Sequence, residues 1–222
     1  MSIKANFAKL KTVSDMAWGQ YAFSRDVVNN KIDDAQRREF IRRSYDCGAE
    51  EARRIKEEYG DLGPEMIAEN MGMKLIEKTG GDTKERFMFG QFNMPNKISL
   101  YVDNIRKTEH MMFDREIDRS LDGVRLRDVI ISHELFHSIE LTDKTLYTSS
   151  VKIPLWRFLG YTHKSGIYAL GEIAAMSFAR ELMDLTLNPF IFDVVLIYMK
   201  NDDRGNAATK KILAFDHKQL SE

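Results

Sequence analysis

Apolar positions recur at three- and four-residue spacing through most of this chain, and shift to alternation only in one short central stretch. From Phe7 to Val28 the apolar set is Leu10, Val13, Met16, Ala17 and Tyr21, one face of a helical region. Asp33 with Gln36 three residues on reads as a capping box. It opens a long helix that runs to Tyr59 and stops at Gly60. Arginines and glutamates interleave along that helix, for example Arg37, Glu39, Arg42 and Glu51, as on a solvated face. Gly63-Pro64-Glu65 starts a short helix that ends at Met71-Gly72.

The texture then changes. Met73–Lys78, Phe87–Phe92 and Lys97–Val102 read as three strands, the last two joined by a turn at Asn93-Met94-Pro95-Asn96. Asn104–Asp122 is highly charged and reads as an exposed helix or loop containing a surface His110. Helical periodicity returns over Val124–Leu141. Thr142–Ser165, with Pro154, reads as extended and irregular, and helices follow at Ile167–Leu185 and Pro189–Lys200. Asn201–Glu222 is polar and reads as a tail. The predicted fold is α+β: mostly helical, with a small three-stranded antiparallel sheet packed against the Val124–Leu141 helix. We divide it into an N-terminal helical region (1–60), a core (61–200) and the tail (201–222).

Composition narrows the functional classes. Charged residues are 30% and hydrophobic ones 43% of the 222, as in a globular protein, and the net charge of -1 speaks against broad electrostatic binding of nucleic acid. The single cysteine, Cys47, excludes an intrachain disulfide and a cysteine-rich zinc site. The first residues lack the apolar core of a signal peptide, and the most apolar run, Phe190–Met199, is too short for a bilayer. A cytoplasmic protein without membrane partners is expected.

The chemistry is concentrated in His133-Glu134-Leu135-Phe136-His137. Histidines four apart on a helix share a face and can hold one zinc ion. Glu134 then sits beside the metal as general base toward a zinc-activated water, the His-Glu-x-x-His pattern of zinc metallopeptidases. The surrounding helix is strongly apolar, and burying these polar side chains in it is costly unless they are partnered. A third ligand is needed, and Glu140, Asp143, His163, Glu172, Glu181 and Asp184 are the downstream candidates. Glu140 is angled off the ligand face and reads as solvated. Glu172 shares an apolar helical stripe with Ala175, Met176, Ala179 and Met183, where a carboxylate requires a strong partner, so Glu172 is assigned. His163 and Tyr168 precede that helix and are assigned as catalytic hydrogen-bond donors to the tetrahedral intermediate.

Residues 48–185 resemble the ImmA/IrrE metallopeptidase family. The resemblance is carried by Tyr59-Gly60, by Ile67-Ala68-Glu69-Asn70-Met71-Gly72, by the zinc motif, and by Glu172-Ile-Ala-Ala-Met-Ser-Phe-Ala-Arg-Glu-Leu-Met183. It implies a zincin-like core, with His133, His137 and Glu172 as ligands of one zinc ion and Glu134 as base. It also implies regulatory proteolysis of a protein substrate such as a helix-turn-helix transcriptional repressor. This chain departs from the family in having Phe136 where Gly is usual, in its charged insert, and in its long interval from His137 to Glu172. A metal-bearing regulatory module that holds a partner without cutting it is the competing expectation.

Overall fold

The computed structural model describes residues 3–82, 87–117 and 124–220. Helices α1 (Ile3–Leu10) and α2 (Asp15–Phe23) replace the one continuous helical region expected at the start. The break has a local cause: the Ser14 hydroxyl accepts from the Ala17 N–H and starts a new helix. After a 3-10 turn at Asn29–Lys31 comes α3 (Asp34–Tyr59), capped by Asp33, whose carboxylate accepts from Gln36 N–H at 2.8 Å. It ends at Gly60, where φ is +65°. Helix α4 (Pro64–Asn70) has its proline in the first turn.

Strands β1 (Lys74–Lys78), β2 (Gly90–Asn93) and β3 (Lys97–Tyr101) form the small sheet, in spatial order β1-β3-β2. Strands β2 and β3 make the expected antiparallel hairpin, whereas β1 runs parallel to β3. The sheet is therefore mixed rather than wholly antiparallel. Local pattern specifies the hairpin, because its turn is short, but the link from β1 to β2 carries β2 past β3 to the far edge. Helix α5 (Val102–Asp114) covers much of the charged stretch, and His110 on it pairs with Asp114 at the surface. Residues 118–122 of that stretch lie outside the described residues.

Helix α6 (Leu126–Thr142) carries the histidine motif and packs on β2, β3 and α8 (Tyr168–Leu182). Between them, a short helix α7 (Tyr147–Ser150) leads into a two-stranded hairpin of β4 (Lys152–Phe158) and β5 (Tyr161–Gly166). The irregular stretch read from sequence is thus an ordered arm. Helices α9 (Ile191–Lys200) and α10 (Asp202–Leu220) complete the chain. The stretch read as a polar tail is helix, because Thr209 and Ile212 turn inward to be buried against its neighbours. Two of its polar residues enter a network in which Asn6 donates to Tyr198 and Asn206, with Thr209 beside the Tyr198 hydroxyl.

The centre of the molecule is the crossing of α8 with α3 and α6. Eleven residues of α8 are buried, and Gly48 of α3 sits so close to the Ala174 carbonyl that no Cβ fits there. Phe136 turns into the same core, fully buried with its ring 5.7 Å from Phe178. Phe136 therefore fills the interior and leaves the face bearing the histidines clear. No helix among the described residues is long and apolar enough to cross a membrane.

Candidate metal centre

One helix supplies three of the four central side chains. On α6, His133 and His137 lie one turn apart and their Nε2 atoms approach to 3.0 Å. Glu172, in the second turn of α8, brings Oε1 to 3.2 Å from His137 Nε2 and Oε2 to 3.7 Å from His133 Nε2. These three residues offer ligand atoms that all lie within 4.8 Å of one another. Ligands held tetrahedrally at zinc bond lengths stand about 3.3 Å apart, close to the His133–His137 and His137–Glu172 Oε1 separations, while Glu172 turns its other oxygen to His133. The donor set of two imidazoles and one carboxylate suits zinc as well as its spacing does. Each side chain is 15–19% exposed, buried enough to be held in place yet open to the adjoining cavity.

That cavity, of about 510 Å³, runs between β2 on one side and the start of α8 on the other. Glu134 lines it beside the triad, and its carboxylate accepts from the Phe92 N–H at 2.6 Å. A Cβ at Gly90 would lie 2.5 Å from Ile130 and 3.0 Å from Glu134 Oε1, so the strand approaches the glutamate this closely only because residue 90 is glycine. In the β2–β3 register, Gly90 and Phe92 turn their backbone polar groups away from β3, toward the cavity. A second cavity of about 270 Å³ adjoins the first across His133, Glu134 and Glu172. Its walls are apolar, including Leu126, Val129, Ile130, Met176 and Phe192.

The electrostatics arise from this crowding. Burial by itself would raise the Glu172 pKa, but the hydrogen bond from His137, the two imidazoles and the Tyr168 hydroxyl outweigh it and hold the carboxyl at about 2. Burial opposes charge on His137 in the same way, yet its hydrogen bonds to Glu140 and Glu172 push it up to about 10. The Tyr168 hydroxyl is pushed up by desolvation where it faces the cavity and by the charge of Glu172, to which it hydrogen-bonds, although the residue as a whole is 73% exposed.

The sequence-assigned residues do not all converge. His133, Glu134, His137, Glu172 and Tyr168 line one cavity. His163 is not among its lining residues; it lies on β5, where its ring stacks on Trp156 at 5.3 Å. Glu140 is where the structure differs most from the sequence reading. Instead of being solvated, its side chain is 19% exposed, and Oε2 stands 3.2 Å from His137 Nδ1. Gly171 makes this placement sterically allowed, since a Cβ there would lie 2.8 Å from Glu140 Oε1. A carboxylate on the far nitrogen of a metal-binding histidine fixes its tautomer and strengthens it as a ligand. Its three-residue spacing from His137 is the signal that the sequence offers. Asp26 is a further unread contributor: its carboxylate accepts from Ala169 N–H and Val28 N–H, fixing the start of α8 from the other end of the chain.

No protein-family model, no curated protein and no solved structure matches the chain. The assignment accordingly rests on geometry: His133, His137 and Glu172 form a triad suited to one metal ion, with the general arrangement of a zincin-like metalloenzyme.

Proposed function

We propose that this chain is a zinc-dependent endopeptidase that hydrolyses a peptide bond in a protein substrate. The single observation that carries the reading is the convergence of the triad with Glu134 on a cavity walled by an open strand edge. Bound at the triad, zinc supplies Lewis acidity to a carbonyl and to a water molecule. Glu134 takes the water proton and returns it to the leaving amine; the Phe92 N–H holds its carboxylate in position for both transfers. The Tyr168 hydroxyl, protonated at neutral pH, turns its one proton from Glu172 to the oxyanion. The Gly90 backbone groups and the Phe92 carbonyl, which face the cavity, suit an extended peptide, and the apolar cavity beside the triad suits a large apolar side chain next to the scissile bond. The resemblance to ImmA/IrrE peptidases in the residues around both helices supports a regulatory substrate, of which a helix-turn-helix repressor is the leading example.

The test compares the zinc-loaded chain with its Glu134→Gln variant on a mixed-sequence peptide library, with new termini read by mass spectrometry. Cleavage next to large apolar residues by the wild type, with a loss of at least about a thousandfold in the variant at unchanged zinc content, is the expected result. A variant that cuts at the wild-type rate, or a zinc-loaded wild type that produces no new termini, overturns the reading.

A further inference from the structure

The β4–β5 arm has no role in the chemistry above, yet it is built in a way the fold does not need. Its turn is Leu159-Gly160, with φ of +47° and +81°. Asn or Asp is usual at the first of these positions, and a leucine held there is both strained and, at 90% exposure, in contact with water. Trp156 pairs across the arm with His163 and Phe158 with Tyr161, which places all four rings on one face. Trp156, Phe158 and Tyr161 are each more than half exposed. The arm is a two-stranded sheet, so among the described residues its outer edges have no strand partner. Charge is segregated as well: no Asp or Glu occurs from Lys144 to Gly171, in a chain with 34 acidic residues, while Lys152 and Lys164 stand exposed on the arm. Its root is continuous with the metal-site cavity, since Gly166 ends β5 and the next two residues, Ile167 and Tyr168, line that cavity.

We propose that this arm docks an extended segment of the protein substrate that carries acidic and large apolar side chains, and so delivers the adjoining chain to the metal centre. Backbone edges pair with the segment, the ring face covers its apolar side chains, and the lysines meet its carboxylates. A bilayer surface would satisfy the rings and lysines but would leave open-edge N–H and C=O groups without partners wherever the arm entered it. A polypeptide strand satisfies all three features. The inference rests on the peptidase reading only for the cleavage step after docking, so docking is measured where cleavage is blocked.

The experiment uses the full Glu134→Gln chain and a fluorescein-labelled peptide of about twelve residues alternating Glu or Asp with Phe or Leu. Controls replace its acidic residues with Lys, or replace the peptide with phosphatidylserine–phosphatidylcholine vesicles. Of the two tryptophans, Trp18 is fully buried and Trp156 is on the arm, so a blue-shifted emission on binding reports the arm. The expected result is saturable binding of the acidic peptide with that shift. Binding should weaken at least about tenfold in the triple variant Trp156→Ser, Phe158→Ser, Tyr161→Ser, and similarly in Lys152→Glu, Lys164→Glu, which changes only exposed charges. The Lys-substituted peptide should not bind. Absence of binding, binding indifferent to both variants, or vesicle binding in place of peptide binding overturns the proposal. Docking without any cleavage by the wild type leaves this proposal standing and removes the peptidase reading alone.

Discussion

His137 meets a carboxylate at each ring nitrogen, Glu172 at Nε2 and Glu140 at Nδ1, and this pairing accounts for more of the site than the motif alone. Glu140→Gln keeps a side chain of the same shape and removes the charge that strengthens the imidazole. We expect zinc affinity to fall by about tenfold to a hundredfold, measured by competition with a chromophoric chelator. Gly171→Ala, by crowding the same carboxylate, should shift affinity in the same direction. A proton competes for the same imidazole. With its pKa raised from 6.5 to about 10, His137 in the metal-free chain is protonated at neutral pH, and the ion must displace that proton. Zinc affinity should therefore rise with pH up to about 10, with proton release detectable by calorimetry in buffers of different ionisation enthalpy. The same shift stabilises the metal-free fold fully below pH 6.5, and that contribution is lost as pH rises through about 10. At this scale the sequence is legible wherever helical spacing determines position. His133, Glu134 and His137 are placed by one turn of helix, and Glu172 by a carboxylate on an apolar stripe. Glu140 escapes that logic because its burial comes from α8, through the missing side chain of Gly171.

Among the elements, α8 is the one on which the site depends, because it brings Glu172 to α6 while packing along α3. Gly48 sets the spacing of that second contact, since its absent Cβ would collide with the backbone carbonyl of Ala174. Gly48→Ala decides between two opposed effects. Helix propensity favours alanine by about 1 kcal/mol. Forcing two backbones apart in a packed core costs about 3 kcal/mol. We expect a net loss of stability, seen as a lower denaturation midpoint at unchanged m-value, together with weaker zinc binding as Glu172 shifts. Helices α3, α4, α6 and α8 are readable because their apolar periodicity is local, and α3 adds a local cap at Asp33. The β4–β5 arm is not: Val151, Ile153 and Leu155 alternate inward, but Pro154 with the adjoining bulge and the exposed rings of Trp156 and Phe158 obscure that strand pattern. Helix α10 is hidden by its composition, since Ile212 is fully buried within a largely polar run.

Across the whole molecule, the metal centre is assembled from parts far apart in the chain. β2 positions Glu134, α6 supplies both histidines, α8 supplies Glu172, and Asp26 fixes where α8 begins. Long-range order of this kind leaves little trace in local pattern, which is why the parallel pairing of β1 with β3 and the reach of Asp26 emerge only in three dimensions. The triad, by contrast, is already implied by side-chain chemistry, because a mostly apolar core leaves its buried histidines and glutamate few partners other than one another and a metal. Its occupancy is directly measurable. Elemental analysis of the purified, dialysed chain beside its His133→Ala variant, both checked for helix content by circular dichroism, should find about one zinc per wild-type chain and almost none in the variant. Equal zinc in the two proteins, or none in a folded wild type supplied with the ion, would contradict the account.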